Sequence, residues 1–531
     1  MHTIELLIGL FMAFLVVMAV ARRLSVPFPI TLVAGGLLLS LVPGLPAVEL
    51  PSELVLLVFL PPLLYAEACV TSWRDFKANL RPIGLLSIGL VIATTLTVAA
   101  TAHWLLPELP WAACFILGAV VAPTDAVAAL AIAHHLPLPR RVVTILVGES
   151  LVNDATALVA YRIAISAVLT GSFSAGETLL RFVGVCLGGV ALGLAVGWAM
   201  LRLFKLLGSD SLMVNAVGLL VPFIAYLPAE ALGVSGVLAV VTSGLWIGRQ
   251  AAEVLAATTR VASRALWEMV DFLLNGLLFL LVGLQLRTIL HEPLPHGLAM
   301  LAAFGVVIAI TVIATRIAWV YPATYLPRWL SLRLRQRDPL PAPKNVFVLA
   351  WTGMRGGISL AAALALPTVL ASGQPFPGRG EIVVLTFIVI LCTLVVQGLT
   401  LPLVIRRLGV QADGSEEREA DEARLMAARA GLARLDALAE ADDIALEVFE
   451  PLQRHYQEEI NRLCVECGIE PDPNYAQRIA TMDHMWREAL EAERQAMVRL
   501  RDEGAIGDDV LNELLAELDR QVVWLAEPGS R

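Results

Sequence analysis

A chain of 531 residues that is 58% hydrophobic and only 16% charged, with a mean hydropathy of +0.75, does not have the make-up of a soluble globular protein, where about a quarter of residues are charged. Its net charge of −9 is unevenly divided: residues 410–531 hold 13 Arg, no Lys and 29 acidic groups, whereas residues 1–409 carry 25 basic and 18 acidic groups. Composition therefore excludes a soluble enzyme and a nucleic-acid binder, and predicts an all-α polytopic membrane domain over 1–409 followed by a small, acidic, helical cytosolic domain over 410–531.

Thirteen apolar segments can be read in chain order. Segment 1 (4–21) has no basic residue ahead of it and Arg22-Arg23 behind it, which predicts a retained span with its N-terminus outside and not a cleaved signal peptide. Segment 2 covers 27–43. Segment 3 (54–72) carries Glu67 shortly after Pro61-Pro62, and segment 4 covers 83–106. Segment 5 (111–133) contains Ala122-Pro123-Thr124-Asp125, where the proline has no N–H and clashes with the carbonyl four residues earlier, leaving that oxygen free.

Segment 6 (142–169) contains GESLVNDATALVAY, two carboxylates, a serine and an asparagine in an apolar run. At 100° per residue Glu149, Ser150, Asn153 and Asp154 fall within an arc of about 140°, so one face of this membrane helix is polar. Ionisable groups at that depth cost about 2.5–3.5 kcal/mol or more each, and they normally face a cavity or a partner. Segments 7 to 11 cover 180–201, 211–227, 232–248, 268–286 and 298–326. Segment 12 (345–371) is interrupted by Gly353-Met354-Arg355-Gly356-Gly357, glycines that favour an unwound stretch, and segment 13 covers 381–405.

The loops test this count. With the N-terminus outside, nineteen Lys and Arg fall in the inside loops and three, Arg181, Arg287 and Arg379, on the other side. An odd number of crossings puts the tail in the cytoplasm. Thirteen spans also permit two inverted six-helix repeats around a linking helix, with segment 5 matched to segment 12. Both candidates break in mid-membrane, where transporters expose backbone oxygens and helix ends to ions. Beyond Gly409, residues 416–448 and 475–501 have helical spacing, and Pro471 and Pro473 separate two helical groups. Cys464 and Cys467 form a CVEC with no second pair, which reads as reduced thiols and not as a zinc site.

Four segments thus bring polar groups to one depth: Glu67, Thr124 and Asp125, the segment 6 quartet, and Arg355. Oxygen donors of this kind suit a hard monovalent cation, and none of the eight histidines lies among them, so no transition metal or other cofactor is expected. Burial disfavours the charged form of a carboxylate and a bound cation restores it, so a cation and a proton compete for one acid. Asp154 is the candidate. Its neighbour Asn153 is neutral, which favours electroneutral one-for-one exchange. Arg355 needs a counter-charge, and Glu149 is its expected partner in a structural ion pair. Arg162, Arg316, Asn275, Gln285 and Gln397 read as interhelical pairs or lining of an access funnel, and His134 and His135 as interfacial or pH-sensing groups.

Five motifs, FLPPLLYAEA, APTDAVAA, GESLVNDATALV, LLNGLLFLLVGLQL and WTGMRGGISLAAAL, together resemble the monovalent cation/proton antiporters of the bacterial NhaP and animal NHE type across residues 1–409. The resemblance implies an NhaA/NhaP-like fold, a homodimer in the plasma membrane, and sodium/proton exchange by alternating access. It further implies transport by Asn153 and Asp154, cation binding by Asp154, Ser150, Glu67, Thr124 and Asp125, and a Glu149–Arg355 pair. The cation is Na+, with K+ or Li+ as alternatives. A cation channel is the rival from another class, but no repeated filter motif appears. An enzyme would need a nucleophile with its base or a metal centre, and neither is assembled.

Overall fold

A computed structural model describes residues 2–24, 27–42, 52–133, 136–170, 175–208, 210–291, 296–370, 374–442 and 446–503, with scattered positions from 505 to 518. His134 and His135 lie outside the described residues. The described residues are helical throughout, with an isolated bridge between Val369 and Pro375 and no strand. The chain divides into two compact units, Met1–Asp413 and Gly414–Arg531, a boundary four residues beyond the expected one.

Each apolar segment of the first unit falls on a helix or on a pair of half-helices. Among the described residues eight helices are long and apolar enough to cross a membrane, including Arg140–Leu169 of segment 6 and Leu298–Leu330 of segment 11. Segments 1 to 3 contribute shorter apolar helices, Ile8–Ala21, Phe28–Ser40 and Leu57–Val70. The interrupted segments behave as their sequences require. Segment 5 is Trp111–Val121 followed by Ala126–Ala133, and segment 12 is Pro343–Trp351 followed by Gly357–Leu364. Both members of the predicted repeat pair therefore break near their middles.

Contacts sort the helices into two groups. Segments 1–3 and 7–10 pack mainly among themselves, as do segments 4–6 and 11–13. In the first group close backbone approach replaces bulky packing: a Cβ on Gly36 of segment 2 would stand 2.3 Å from the Leu280 carbonyl of segment 10, and one on Gly283 would stand 2.2 Å from the Val33 carbonyl. Small residues serve this way where lipid offers no hydrophobic drive between helices. In the second group two widened π-helical turns, Leu85–Leu90 and Thr393–Gln397, free backbone and side-chain groups for cross-links. Trp319 Nε1 donates to the Leu85 carbonyl at 3.0 Å, and Gln397 Nε2 to the Trp351 carbonyl at 2.9 Å.

The second unit contains helices Ser415–Asp442, Leu446–Glu466 and Tyr475–Asp502. The first two pair through Leu425, Ala428, Ile460, Leu463 and Cys464, with Leu432 partly buried against them. Cys464 is buried there, and its Sγ accepts from Arg429 Nη2 at 3.7 Å.

Candidate functional site

Breaking a helix inside a membrane leaves N–H and C=O groups that must find partners, because no water is available to take them. The two breaks solve this by crossing: the Asp125 amide donates to the Met354 carbonyl at 2.8 Å, joining the unwound stretch of segment 5 to that of segment 12. Arg355, fully buried, supplies the remaining donors. Its Nε gives a 2.9 Å bond to the Val121 carbonyl and its Nη2 a 3.5 Å bond to that of Ala122, while Nη1 donates to Gly353. A guanidinium on the last carbonyls of this segment 5 half-helix answers its negative end. The Arg355 amide itself donates to Thr393 Oγ1 at 3.2 Å, within the second π turn.

The next half-helix starts at Ala126, and Asp125 caps it, Oδ1 accepting from the Ala128 amide at 3.1 Å. Its other oxygen lies against Gly356, where a Cβ would come within 2.3 Å of Oδ2. Only glycine fits at that crossing. Ser150 Oγ accepts from the Ala126 amide at 3.4 Å.

Segment 6 holds the breaks together through Glu149. Its Oε1 accepts from Thr124 Oγ1 at 2.9 Å, and Arg316 of segment 11 grips both carboxylate oxygens, with Nη2 at 3.0 Å from Oε2. Arg316 Nη2 also reaches the Leu349 carbonyl at 3.1 Å. This corrects the expected Glu149–Arg355 ion pair. Arg355 is occupied by the carbonyls of the broken segment 5, and the bidentate partner of Glu149 is Arg316, which the sequence offers only as one of several unassigned polar residues. Asn153 completes the frame, its Nδ2 donating to the Thr124 carbonyl at 3.2 Å and to Thr124 Oγ1 at 2.9 Å. Its Oδ1, on a side chain 1% exposed, has no partner among the described residues.

Asp154 lies one residue further on, 6% exposed, and among the described residues none donates a hydrogen bond to its carboxylate. Asp125 and Glu67 stand within electrostatic reach of it. Among the described residues Asp154, Asp125 and Glu67 form no ion pair with a Lys or Arg, whereas Glu149 meets Arg316.

Residues 10–407 match the transmembrane sodium/hydrogen exchanger family. The chain belongs to that family. An uncharacterised Na+/H+ exchanger of Mycobacterium tuberculosis is 37% identical over 98% of this chain and 96% of its own length. A sodium, potassium, lithium and rubidium/H+ antiporter of Bacillus pumilus is 34% identical over 71% of this chain and 57% of its own. Among solved structures, the sodium proton antiporter MjNhaP1 of Methanocaldococcus jannaschii shares the fold, with a TM-score of 0.57, at 17% identity, covering 77% of this chain and 99% of that one. This exchanger is accordingly a multi-pass membrane protein with the NhaP-type helical fold.

Two further features of the exchanger lie away from the breaks. Arg162 of segment 6 and Glu230, near the end of helix Ser211–Ala231, form a 2.5 Å ion pair between the two helix groups, and Glu230 also accepts from the Gly236 amide at 3.2 Å. In the loop between segments 11 and 12, Asp338 takes 2.7 Å bonds from Arg81, Arg141 and Arg328. Partial burial works against its ionisation, but the bonds from Arg141 and Arg328 outweigh that and hold the carboxyl below its ordinary range. Sequence reading also passes over Asp271 of segment 10, which accepts from Asn275 Nδ2 at 2.8 Å. The signal available was the Asp and Asn four residues apart, on one face of an apolar helix.

Proposed function

We propose that this exchanger is a secondary active sodium/proton antiporter in which Na+ and a proton alternately occupy Asp154. The reading rests on one observation above others: Asp154 is buried beside two broken helices, its carboxylate has no hydrogen-bond donor among the described residues, and Asp125 and Glu67 lie within electrostatic reach of it. A carboxylate withdrawn from water is stable either protonated or bound to a cation, and hardly otherwise. Loading one expels the other. Net transfer is then one cation against one proton, with Asn153 contributing no charge, and the cycle is electroneutral.

Asp154, Ser150, Glu67, Asp125 and the Thr124 region supply the oxygens, while Asn153 fixes Thr124 and Glu149 with Arg316 fixes segment 6 against segment 11. Alternating access moves segments 4–6 and 11–13 against segments 1–3 and 7–10, carrying Asp154 between the two faces. The chain works as a homodimer in the plasma membrane with thirteen crossings, its N-terminus outside and its acidic domain in the cytoplasm, and performs no enzymatic step. Potassium/proton exchange is the second reading, favoured by the Bacillus pumilus relative, whose name as an antiporter includes potassium. Proteoliposomes holding a pH-sensitive dye decide between them: addition of Na+ is expected to drive proton movement at lower concentration than K+, without a sustained membrane potential. A potential generated by exchange with no other ion gradient would overturn the stoichiometry, and a K+ preference would overturn the choice of cation.

A further inference from the structure

Segment 10 presents one polar stretch to the site. Trp267, Asp271, Asn275 and Leu278 lie on helix Ala257–Leu284 within an arc of about 80°. Both ends of this face are anchored. The Trp267 ring stands 5.0 Å from that of Tyr65 in segment 3, and Leu278 Cγ lies 2.5 Å from where a Cβ on Gly357 would be, at the restart of segment 12. Between these anchors sits Asp271, half-buried, with one oxygen taking the Asn275 bond. Its charge reaches Glu67 and Asp125, and among the described residues no Lys or Arg pairs with it. Asn153, one residue before Asp154 and almost wholly buried, independently leaves its Oδ1 without a partner among the described residues.

A purely structural Asp271–Asn275 pair is hard to reconcile with this placement. A neutral amide at 271 would hold the same hydrogen bond, whereas an aspartate adds a further negative charge to a cluster of carboxylates in low dielectric. That arrangement is favourable when a cation is drawn to it or when one of the carboxyls takes a proton. Asp271 and Glu67 belong to one helix group, Asp125 and Asp154 to the other.

Resting on the exchange reading above, we infer that Asp271 is a cation-recruiting residue: with Glu67 it holds the arriving cation on the segment 3 and 10 side and passes it to Asp125 and Asp154. It is a positioning residue and not the carrier. The test uses the full-length chain in proteoliposomes with Na+ as the probe. Asp271→Asn is expected to raise the KM for Na+ about threefold to tenfold while turnover at saturating Na+ stays within about twofold. The difference from the unsubstituted chain should shrink when ionic strength is raised with an impermeant cation. Asp271→Glu should restore most of the affinity.

An unchanged KM in Asp271→Asn would reduce the residue to a structural one, and loss of all exchange from a folded variant would make it a carrier; either overturns the proposal. If Asp271→Asn does not fold, Asp271→Glu decides alone: near-normal KM supports recruitment by charge, and a KM raised tenfold or more in a folded protein contradicts it. Failure of the unsubstituted chain to exchange any cation would instead sink the underlying function, so the two failures are told apart.

Discussion

Two fully buried arginines do different work, and which one does which depends on backbone geometry. Arg316 meets the carboxylate of Glu149, while Arg355 meets the Val121 and Ala122 carbonyls at the end of the first half-helix of segment 5. Removing Arg316 leaves Glu149 charged and alone in low dielectric, so Arg316→Ala should cost about 3–5 kcal/mol of stability. Glu149→Gln in the same chain should recover part of it, with a coupling of about 0.5–3 kcal/mol in thermal unfolding in detergent. Arg355→Ala should combine with Glu149→Gln almost additively, and strong coupling there would restore the pairing that the structure rejects. Gly356→Ala places a methyl on Asp125 and should abolish exchange even where the protein folds, measured by dye quench in vesicles. The buried charges themselves are legible in sequence. Their partners are not, because an unwound helix competes for arginine with carbonyls that no residue type announces. Asp271 escaped notice for a related reason: near the start of an apolar run, a lone acid reads as interfacial.

At the scale of elements, lipid makes helices easy to find and their cross-links hard. Every apolar segment read from sequence carries a helix, and both predicted breaks occur where Pro123 and the glycines of segment 12 put them. What sequence does not carry is the tie across elements, such as Asp338 receiving Arg81, Arg141 and Arg328 from three helices. Since the folded carboxyl is held below its ordinary range, its contribution is present above the unfolded value near about pH 3.9 and is lost as pH falls through the folded value. Unfolding temperature in detergent should therefore fall more steeply below about pH 4 in the unsubstituted chain than in Asp338→Asn. At neutral pH Asp338→Asn should cost about 1–3 kcal/mol, the worth of hydrogen bonds to a charged group. The Arg162–Glu230 pair joins the two helix groups directly. A short bifunctional cross-link between cysteines at 162 and 230 should stop exchange and leave binding of Na+ measurable; continued exchange with the link in place would mean that these two helices do not move apart.

On the scale of the whole molecule, the division of charge sets an acidic 410–531 apart from 1–409, and the compact units are Met1–Asp413 and Gly414–Arg531. Five short motifs carry the resemblance to cation/proton antiporters, and the family match over residues 10–407 bears it out. Within that fold Glu149 pairs with Arg316 while, among the described residues, Asp154 has no hydrogen-bond donor, and the proposed exchange rests on that contrast. The direct trial is Asp154→Asn in proteoliposomes with an internal pH-sensitive dye, alongside the unsubstituted chain and with equal folding verified by thermal unfolding. The account predicts Na+-driven proton movement in the unsubstituted chain and none in the variant at any pH. Na+-driven proton movement that survives the substitution would contradict it.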